Sequence, residues 1–277
     1  MIVEHTEVLR QEPAAALGAL LGVPVPDLDR DGLPLLWHWF YLLDRVPQAD
    51  LGPDGHPVRG TVPAPPAPGL RRMWAGGRVT ALGPLRCGES ATRRSQVLSV
   101  REKPGRSGLL TFVVVEHRIV QFGQLAVDEQ QDIVYREPSP LSMPDSGPVV
   151  PVADDEWSID ITPTLLFRFS ALTFNAHRIH YDRDYARDVE GYPGLLTHGP
   201  LQALAMAEAA RTTGPQHFEY RLVAPLFDHQ GLVVRADKGP EHTTTSVRDI
   251  HGRRTATGRL SGHAGGQTTG TAAWRPW

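Results

Sequence analysis

The chain has 277 residues, of which 40% are hydrophobic and 21% charged, a composition typical of a globular protein with one or two cores. Its 28 basic and 31 acidic residues give a net charge of −3, which offers no overall electrostatic case for binding nucleic acid or an anionic membrane. The single cysteine, Cys87, excludes a disulfide within the chain and a cysteine-based zinc cage. Early acids and the absence of an apolar run at the start argue against a signal peptide, and no window reaches the roughly 18 apolar residues of a membrane span. We therefore expect a cytoplasmic protein.

The first half of the chain predicts helices followed by strands. Residues 5–22 predict a helix that begins near Thr6, and the dense aromatic run at 35–43 predicts a second, buried helix. A long loop rich in Pro and Gly follows at 47–71. Turn signals then separate four β-prone stretches, at 79–82, 95–100, 109–121 and 124–135.

The same order of elements recurs in the second half, after a linker rich in Pro, Ser and Gly at 138–151. A short strand is predicted at 155–161, a short helix or turn at 164–169 and a longer helix at 199–211. Four further strands are predicted, at 217–224, 231–238, 241–249 and 255–262. The Gly- and Thr-rich tail from Ala264 is expected to be poorly ordered.

Polar chemistry is concentrated in eight residues, from Asn175 to Asp182. Besides the terminal amide and carboxylate, this stretch contains two imidazoles, His177 and His180, and the guanidinium of Arg178. A loop punctuated by Gly and Pro and the Ala-rich helix follow directly. This density of titratable groups just before a helix makes the stretch the candidate active site.

The stretch resembles the hydratase motif of the MaoC-like, R-specific enoyl-CoA hydratases. Thr173 falls on the Ser/Thr of that motif, and His180 falls on its catalytic histidine. The acid–base Asp of the family falls on Asn175, its Asn on His177 and its Pro on Arg178. Because an amide does not exchange protons near neutral pH, the division of labour between Asp and His in the family does not carry over intact.

Four other stretches, at 51–56, 72–77, 103–108 and 132–136, resemble the double-hot-dog branch of this family. That branch includes mesaconyl-CoA and itaconyl-CoA hydratases and 3-hydroxyacyl-thioester dehydratases. The resemblance implies an α+β double hot-dog fold, in which two antiparallel sheets each wrap around a central helix. It also implies a degenerate, substrate-covering N-terminal domain at 1–140 and a catalytic C-terminal domain at 152–277.

The activity implied is hydration of a short, carboxylated enoyl-CoA, or the reverse dehydration, without a prosthetic group. The acyl-CoA is the expected partner, and packing of exposed hot-dog sheets leads us to expect a homodimer. Hydration needs a base for water, a proton for the α-carbon and dipoles that stabilise the enolate oxygen. His180 suits the role of base, Asn175 that of positioning the water and His177 that of supplying or relaying a proton. Asp182 is a candidate for orienting one of the imidazoles.

The loop before the last helix supplies the candidate substrate-binding groups. Gly194 and the pair His198 and Gly199 resemble the family loop that feeds the central helix. The backbone N–H of Gly199, at a helix N-terminus, is suited to polarise the thioester carbonyl. Arg178 is expected to brace the loop through a carboxylate rather than to touch substrate.

Other interpretations remain open from the sequence. The extra carboxylate of a substrate could meet Arg71, Arg72 or Arg178. His177, His180 and Asp182 are residue types that bind metals, but hydration of a conjugated thioester needs no metal, so we predict none. A 3-hydroxyacyl-ACP dehydratase, a hot-dog thioesterase and a non-catalytic acyl-CoA binder are the alternatives. A Ser hydrolase is disfavoured because the chain has no Gly-x-Ser-x-Gly elbow.

Overall fold

The computed structural model describes residues 2–67, 69–105, 108–138 and 147–262. The predicted tail from Ala264 and much of the predicted linker lie outside these residues. Ten strands form one antiparallel sheet in the order β1-β3-β4-β5-β2-β7-β10-β9-β8-β6. The strands are β1 (Ile2–Val8), β2 (Arg71–Ala81), β3 (Ser90–Gly105), β4 (Gly108–Gln121), β5 (Gln124–Arg136), β6 (Glu156–Ile159), β7 (Gln216–Leu222), β8 (Leu232–Lys238), β9 (His242–Arg248) and β10 (Arg254–Gly262).

Each half of the sheet has the same topology. The order β1-β3-β4-β5-β2 in the first half corresponds to β6-β8-β9-β10-β7 in the second. The halves meet where β2 pairs with β7, through antiparallel partners that run from Gly76–Arg221 to Ala81–Gln216. The repeat in element order that the sequence predicts is thus present, and so is the α+β class. The proposed domain boundaries at 1–140 and 152–277 stay a prediction.

The prediction of a helix over residues 5–22 is wrong at its start. Residues 2–8 form edge strand β1, paired along its length with β3, and helix α1 spans only Gln11–Leu21. Exposure alternates along β1, which is the pattern of a strand with one face partly covered. Pairing with a distant strand, which no local pattern reveals, decided the conformation of this segment.

The aromatic run at 35–43 is buried as predicted but does not form a regular helix. It makes one 3₁₀ turn, Trp37–Phe40, in which Trp37 and Phe40 are almost fully buried. Leu36 and Leu42 have φ of 69° and 54°, and these left-handed residues end the turn on both sides. The core of the first half is therefore filled by these aromatic side chains. The first predicted strand, at 79–82, is also longer than expected, because β2 already begins at Arg71, where the loop predicted at 47–71 ends.

The two helices predicted in the second half are present, α2 longer than predicted and α3 two residues shorter. Short helical turns at Arg178–His180 and Tyr185–Val189 are additional. Helix α2 spans Pro163–Leu172, and Thr162 caps it by accepting a hydrogen bond from the Leu165 N–H. Helix α3 spans Gly199–Ala209 and is buried on all sides from residue 201 to 207, as expected of a helix that is apolar all round. It lies against β7, β8, β9, β10 and β2. Within the described ranges, every helix falls short of the length and apolarity required to cross a membrane.

Candidate active site

The polar stretch follows α2 and is shaped by Asn175. The Asn175 N–H donates to the carbonyl of Ser170 at 2.8 Å, and its Oδ1 accepts from the His177 N–H at 3.0 Å. This side-chain-to-backbone bond is a local turn motif, and it leads into a 3₁₀ turn over Arg178–His180. Asn175 therefore shapes the loop, and it also lines the principal cavity.

Three imidazoles converge behind this loop. The His180 ring stacks on the His198 ring with centroids 3.6 Å apart, and the His177 ring meets His180 edge-on at 5.4 Å. The Nδ1 of His180 lies 2.7 Å from the carbonyl oxygen of Leu196. Since a carbonyl can only accept, Nδ1 carries the proton and Nε2 keeps a free lone pair. Burial lowers the pKa of His180 to about 4, so the ring is neutral at physiological pH.

The neighbouring imidazoles are also held neutral. His198 is fully buried and its Nε2 lies 2.8 Å from the hydroxyl of Ser170. Burial lowers the pKa of His198 well below its usual range, and the nearby His180 adds to the effect. The pKa of His177 is likewise well below its usual range because of burial and the neighbouring His56. His177, His180 and His198 thus present lone pairs rather than positive charge.

Arg178 and Asp182 brace the loop. The Nε and Nη2 of Arg178 donate to Oδ2 of Asp182 at 3.0 and 2.8 Å, and the guanidinium lies over the Tyr185 ring at 4.0 Å. Oδ1 of Asp182 accepts from the Tyr185 N–H. Among the described residues, the hydrogen bonds of Asp182 go to these groups and not to an imidazole. The alternative in which Asp182 orients an imidazole is therefore not the arrangement present, since its oxygens are already occupied by Arg178 and the backbone.

The glycines of the candidate substrate loop have different surroundings. Gly199 begins α3, and a Cβ placed there would lie 2.2 Å from Cδ1 of Leu222. Pro200 follows at the first turn, where a missing N–H costs nothing. A Cβ on Gly194 would lie 2.6 Å from Oδ1 of Asp228, so this position permits close packing of the loop. A side chain at Gly199 would thus meet Leu222 at the start of α3, while the neighbouring Pro200 lines the principal cavity.

The N-terminal half contributes two residues that the sequence analysis did not select. Oδ2 of Asp54 lies 2.9 Å from Nδ1 of His56, and the His56 ring packs on the His177 ring with centroids 3.9 Å apart. Gly55 lies between them with φ +86°, and a Cβ there would lie 1.8 Å from the carbonyl oxygen of Ala176. Only glycine allows this approach.

Asp54, His56 and His177 also have ligand atoms within 4.8 Å of one another, a spacing that a metal ion can bridge. This set differs from His177, His180 and Asp182, the metal-binding residue types adjacent in sequence, since Asp182 pairs with Arg178. Oδ2 of Asp54 and Nδ1 of His56 are already joined by a hydrogen bond, and the two imidazoles are packed ring on ring. The arrangement is that of a carboxylate–imidazole dyad.

The principal cavity has a volume of about 270 Å³ and lies between the two halves. Of the eight site residues selected from sequence, Asn175 is the one that lines it; His56, Arg72 and Trp74 line it from the first half. Its deeper wall is polar and belongs to the N-terminal half, with side chains from the aromatic turn and strands β3–β5: His38, Trp39, Arg93, His117, Glu129 and Gln131.

Glu129 organises that polar wall. Its carboxylate is 2% exposed and accepts hydrogen bonds from Trp39 and Gln131, while Nε2 of His38 lies 2.9 Å from Oε2. Burial acts to raise the pKa of Glu129, but the hydrogen bond and charge of His38 prevail and lower it to about 2. Since the carboxylate is satisfied by these partners, the network is a rigid wall of the cavity.

The sequence contains a signal for Asp54 and His56, but nothing near them in the chain shows which residues they contact. Residues 51–56 matched the double-hot-dog branch, and the Asp-Gly-His order within them marks a tight turn with two titratable groups. The contacts that bring this turn to the candidate site come from Arg178, whose Nη1 donates to the Pro53 carbonyl 125 positions away. A single sequence contains no pattern that predicts this meeting.

Solved structures share this fold. HtdX of Mycobacterium tuberculosis matches with a TM-score of 0.69 at 16% identity, over 95% of this chain and 100% of that one. A second M. tuberculosis protein, described as having a double hotdog fold, matches with a TM-score of 0.50 at 15% identity over 94% of each chain. The chain is thus an α+β double hot-dog protein, and that prediction is confirmed.

Sequence comparison gives the family. The family model for hydroxyacyl-thioester dehydratase type 2 matches residues 36–228. Mesaconyl-C(4)-CoA hydratase of Chloroflexus aurantiacus is 50% identical over 220 residues, which are 78% of this chain and 77% of that protein. The chain belongs to the hydroxyacyl-thioester dehydratase type 2 family, within the MaoC-like hot-dog hydratases and dehydratases. It is a hydro-lyase of acyl thioesters, as predicted.

Proposed function

We propose that this protein adds water to a short enoyl-CoA that carries a second carboxylate, with mesaconyl-CoA as the favoured substrate. The observation that carries the proposal is the 50% identity to a mesaconyl-C(4)-CoA hydratase across most of both chains. The volume of the cavity, about 270 Å³, suits a short acyl group. Dehydration of a 3-hydroxyacyl thioester, on coenzyme A or on a carrier protein, is the second candidate, and the family model supports it.

The environment of Arg72 supports a carboxylated substrate. Of the three arginines considered from sequence, Arg71 pairs with a glutamate and Arg178 with an aspartate. Arg72 lines the cavity, and its guanidinium donates to two neutral oxygens, the Tyr135 hydroxyl and the Pro63 carbonyl, both at 3.1 Å. Among the described residues it has no carboxylate within ion-pair distance. Asp54 feels the charge of Arg72 but does not contact it. A guanidinium that is oriented by neutral oxygens and has no contact ion pair favours an anionic group of the substrate.

The proposed chemistry divides the roles between the halves. His180 accepts a proton from water through Nε2, and Asn175, at the cavity wall, positions that water. The backbone N–H of Gly199, at the start of α3, polarises the thioester carbonyl, with His198 and Gly194 holding the loop beside it. His177 relays protons within the cluster. In this scheme residues 1–140 cover the acyl group and residues 152–277 carry the base.

The proposal also covers the prosthetic group, the location and partners of the protein, and its oligomeric state. No prosthetic group is needed, because the thioester itself acidifies the α-carbon and the protein supplies the proton transfers. The protein acts in the cytoplasm on a free acyl-CoA, with neither nucleic acid nor membrane as a partner. It forms a homodimer, which light scattering of the purified protein at micromolar concentration measures directly.

Incubation with mesaconyl-CoA and with crotonyl-CoA tests the function. The absorbance of the conjugated thioester and the appearance of free thiol are followed together. We expect the conjugation to disappear without thiol release, and faster with mesaconyl-CoA. Thiol release would indicate a thioesterase, and no reaction with either compound would contradict the proposal. Rapid dehydration of 3-hydroxybutyryl-CoA, with little turnover of mesaconyl-CoA, would favour the second candidate.

Arg72→Gln sharpens the substrate assignment. A charge-assisted hydrogen bond contributes about 2 kcal/mol, so kcat/KM for mesaconyl-CoA should fall roughly 30-fold. Crotonyl-CoA has no second carboxylate, and its kcat/KM should change little. An equal loss for both substrates would instead place Arg72 on coenzyme A. Arg71→Gln is the matched control, because the neighbouring guanidinium is paired with Glu190 and should not alter the preference.

A further inference from the structure

Hydration of an enoyl thioester moves two protons, and the group that protonates the α-carbon must reach it in the cavity, which His180 does not line. Water loses a proton as its oxygen bonds to the β-carbon, and the α-carbon must gain one. His180 can accept the first, since its Nε2 lone pair is free. Asn175, although it lines the cavity, cannot donate the second near neutral pH. A further proton-exchanging group in the cavity is therefore required.

Three imidazoles of the N-terminal half line the cavity. His38 is joined to Glu129 at 2.9 Å, and His117 to the Ser95 hydroxyl at 2.7 Å, both within the polar wall of the first half. His56 differs because its loop docks on the candidate catalytic segment. Its ring is 3.9 Å from that of His177, which is 5.4 Å from that of His180, measured between centroids.

The docking of the loop is specific. The Arg178 N–H donates to the Asp54 carbonyl at 2.9 Å, and Nη1 of Arg178 donates to the Pro53 carbonyl at 3.1 Å. Gly55 closes against the Ala176 carbonyl, where no Cβ fits. The loop is also closed on itself, because the Gly52 N–H donates to the His56 carbonyl at 2.7 Å. These contacts position the imidazole of His56 to within the precision that proton transfer needs.

The carboxylate of Asp54 makes His56 the preferred site for a proton. The cluster contains His56, His177, His180 and His198, and His56 is the one of these four whose ring contacts a carboxylate among the described residues. Oδ2 of Asp54 accepts a hydrogen bond from Nδ1 of His56 at 2.9 Å, and Oδ1 accepts one from the backbone N–H of His56. Nε2 is left for proton exchange. A proton held by the cluster is therefore best stabilised there.

The groups that face His56 act in opposite directions. Burial lowers its pKa, and the positive charge of Arg72 on β2 adds to this, while Asp54 raises it. His177, packed on the other side, is neutral because its own pKa is well below the usual range. A negative charge developing on the enolate would favour the protonated form of His56 when substrate is bound.

We propose that His56 is the catalytic acid that protonates the α-carbon during hydration, and that Asp54 is its positioning residue. The inference rests on the proposed function. As water attacks, the C–O bond forms at the β-carbon and the water proton passes to Nε2 of His180. His56 enters the step as the imidazolium, with its Nδ1–H on Asp54, and its Nε2–H bond breaks as the Cα–H bond forms. Four neutral imidazoles plus one excess proton are present before and after the step. His177 lies between the other two rings and returns that excess proton from His180 to His56.

Variants of the full-length protein test this with mesaconyl-CoA. His56→Ala should lower kcat for hydration roughly 100- to 10,000-fold, the range for loss of a general acid, with KM changed less than about threefold. Asp54→Asn should lower kcat by up to about 10,000-fold, the loss for the equivalent change in a Ser-His-Asp triad, because the ring keeps its neighbour but loses the charge. His251→Ala is the control, since His251 lies outside the cavity lining and binds the Gly147 carbonyl.

Two readouts separate catalysis from packing. Added imidazole should restore part of the activity of His56→Ala and leave the wild type and His251→Ala unchanged. Hydration by the wild type should slow as the pH rises above the pKa of His56, which lies below 6.5, and this dependence should vanish in His56→Gln. If His56→Ala does not fold, His56→Gln, which keeps much of the volume, supplies the comparison.

The outcomes are distinct. A wild type without hydratase activity would refute the proposed function itself. An active wild type together with a His56→Gln protein that keeps more than a tenth of kcat and the same pH profile would overturn only the role of His56. Loss of wild-type activity in EDTA, restored by zinc, would replace the acid by a metal bound to Asp54, His56 and His177.

Discussion

The two halves of the sheet have the same strand order but different centres. In the C-terminal half the sheet packs on α3, an 11-residue helix whose N-terminus meets the candidate site at Gly199. In the N-terminal half the corresponding place holds the 3₁₀ turn Trp37–Phe40 and the buried carboxylate of Glu129. One half thus offers a helix N-terminus, and the other offers a polar wall.

The difference explains why both halves are needed. A helix N-terminus supplies backbone donors for a developing oxyanion, which the short turn cannot supply. The short turn leaves room for the cavity of about 270 Å³ between the halves. The loop after it then reaches across to the other half, where Asp54 and His56 join the imidazole cluster.

The largest expected effect is at His180, the proposed catalytic base in the C-terminal half. His180→Ala should lower kcat about 1,000-fold, or roughly 4 kcal/mol of transition-state stabilisation, because Nε2 is the proposed acceptor for the water proton. His117→Ala removes a buried imidazole of the N-terminal half that binds Ser95 and should cost less than about tenfold. Comparable losses in steady-state kcat for the two variants would contradict the asymmetry between the halves.

A smaller effect is expected where the halves dock. In Gly55→Ala the new methyl group would meet the Ala176 carbonyl, and the φ of +86° would add backbone strain. The free energy of unfolding should therefore fall by about 3 kcal/mol, and kcat should fall with it. Gly214→Ala is matched, because its φ is also +86° but nothing lies within 4 Å of the added carbon. We expect that control to lose about 1 kcal/mol and to keep full activity. Urea unfolding and kcat measure both, and equal behaviour of the two variants would refute the docking role of Gly55.

The most gradual effect is the dependence of stability on pH, which is spread over several pH units. In the unfolded chain an imidazole binds a proton near pH 6.5. In the folded chain His180 binds a proton only near pH 4. The unfolded state therefore binds more protons between these values, and the free energy of unfolding falls as the pH drops from 6.5 to 4. The slope is about 1.4 kcal/mol per pH unit for each such imidazole. Urea unfolding at pH 7, 5.5 and 4.5 measures it, and His180→Gln should reduce the slope.

Most of the sheet and the candidate site could be predicted from sequence. Strands β4 and β5 alternate or run continuously with β-branched residues between clear turns, and α3 is rich in good helix formers. The polar stretch from Asn175 to Asp182 was found because its groups are adjacent in the chain. These features depend on interactions between near neighbours, which a single sequence displays directly.

Other features depended on distant partners. Residues 2–8 became a strand because β3 pairs with them, and the aromatic run became a 3₁₀ turn because Leu36 and Leu42 adopt left-handed conformations. Asp182 was a candidate for orienting an imidazole, but in the folded chain its oxygens serve Arg178 and the backbone N–H of Tyr185. Local pattern gives the types of residues present, whereas packing selects which of them meet.

The sequence by itself determined the family, the repeated order of elements and the stretch of chain that carries the imidazoles. Only the tertiary structure decided that Asp54 and His56 join that stretch. It also decided that, among the described residues, Arg72 has no carboxylate within ion-pair distance while Arg71 and Arg178 each have one. The physical reason is the closeness of the contacts involved. A loop that lacks a Cβ at Gly55 can approach a backbone carbonyl 121 positions along the chain, and no local preference specifies that approach.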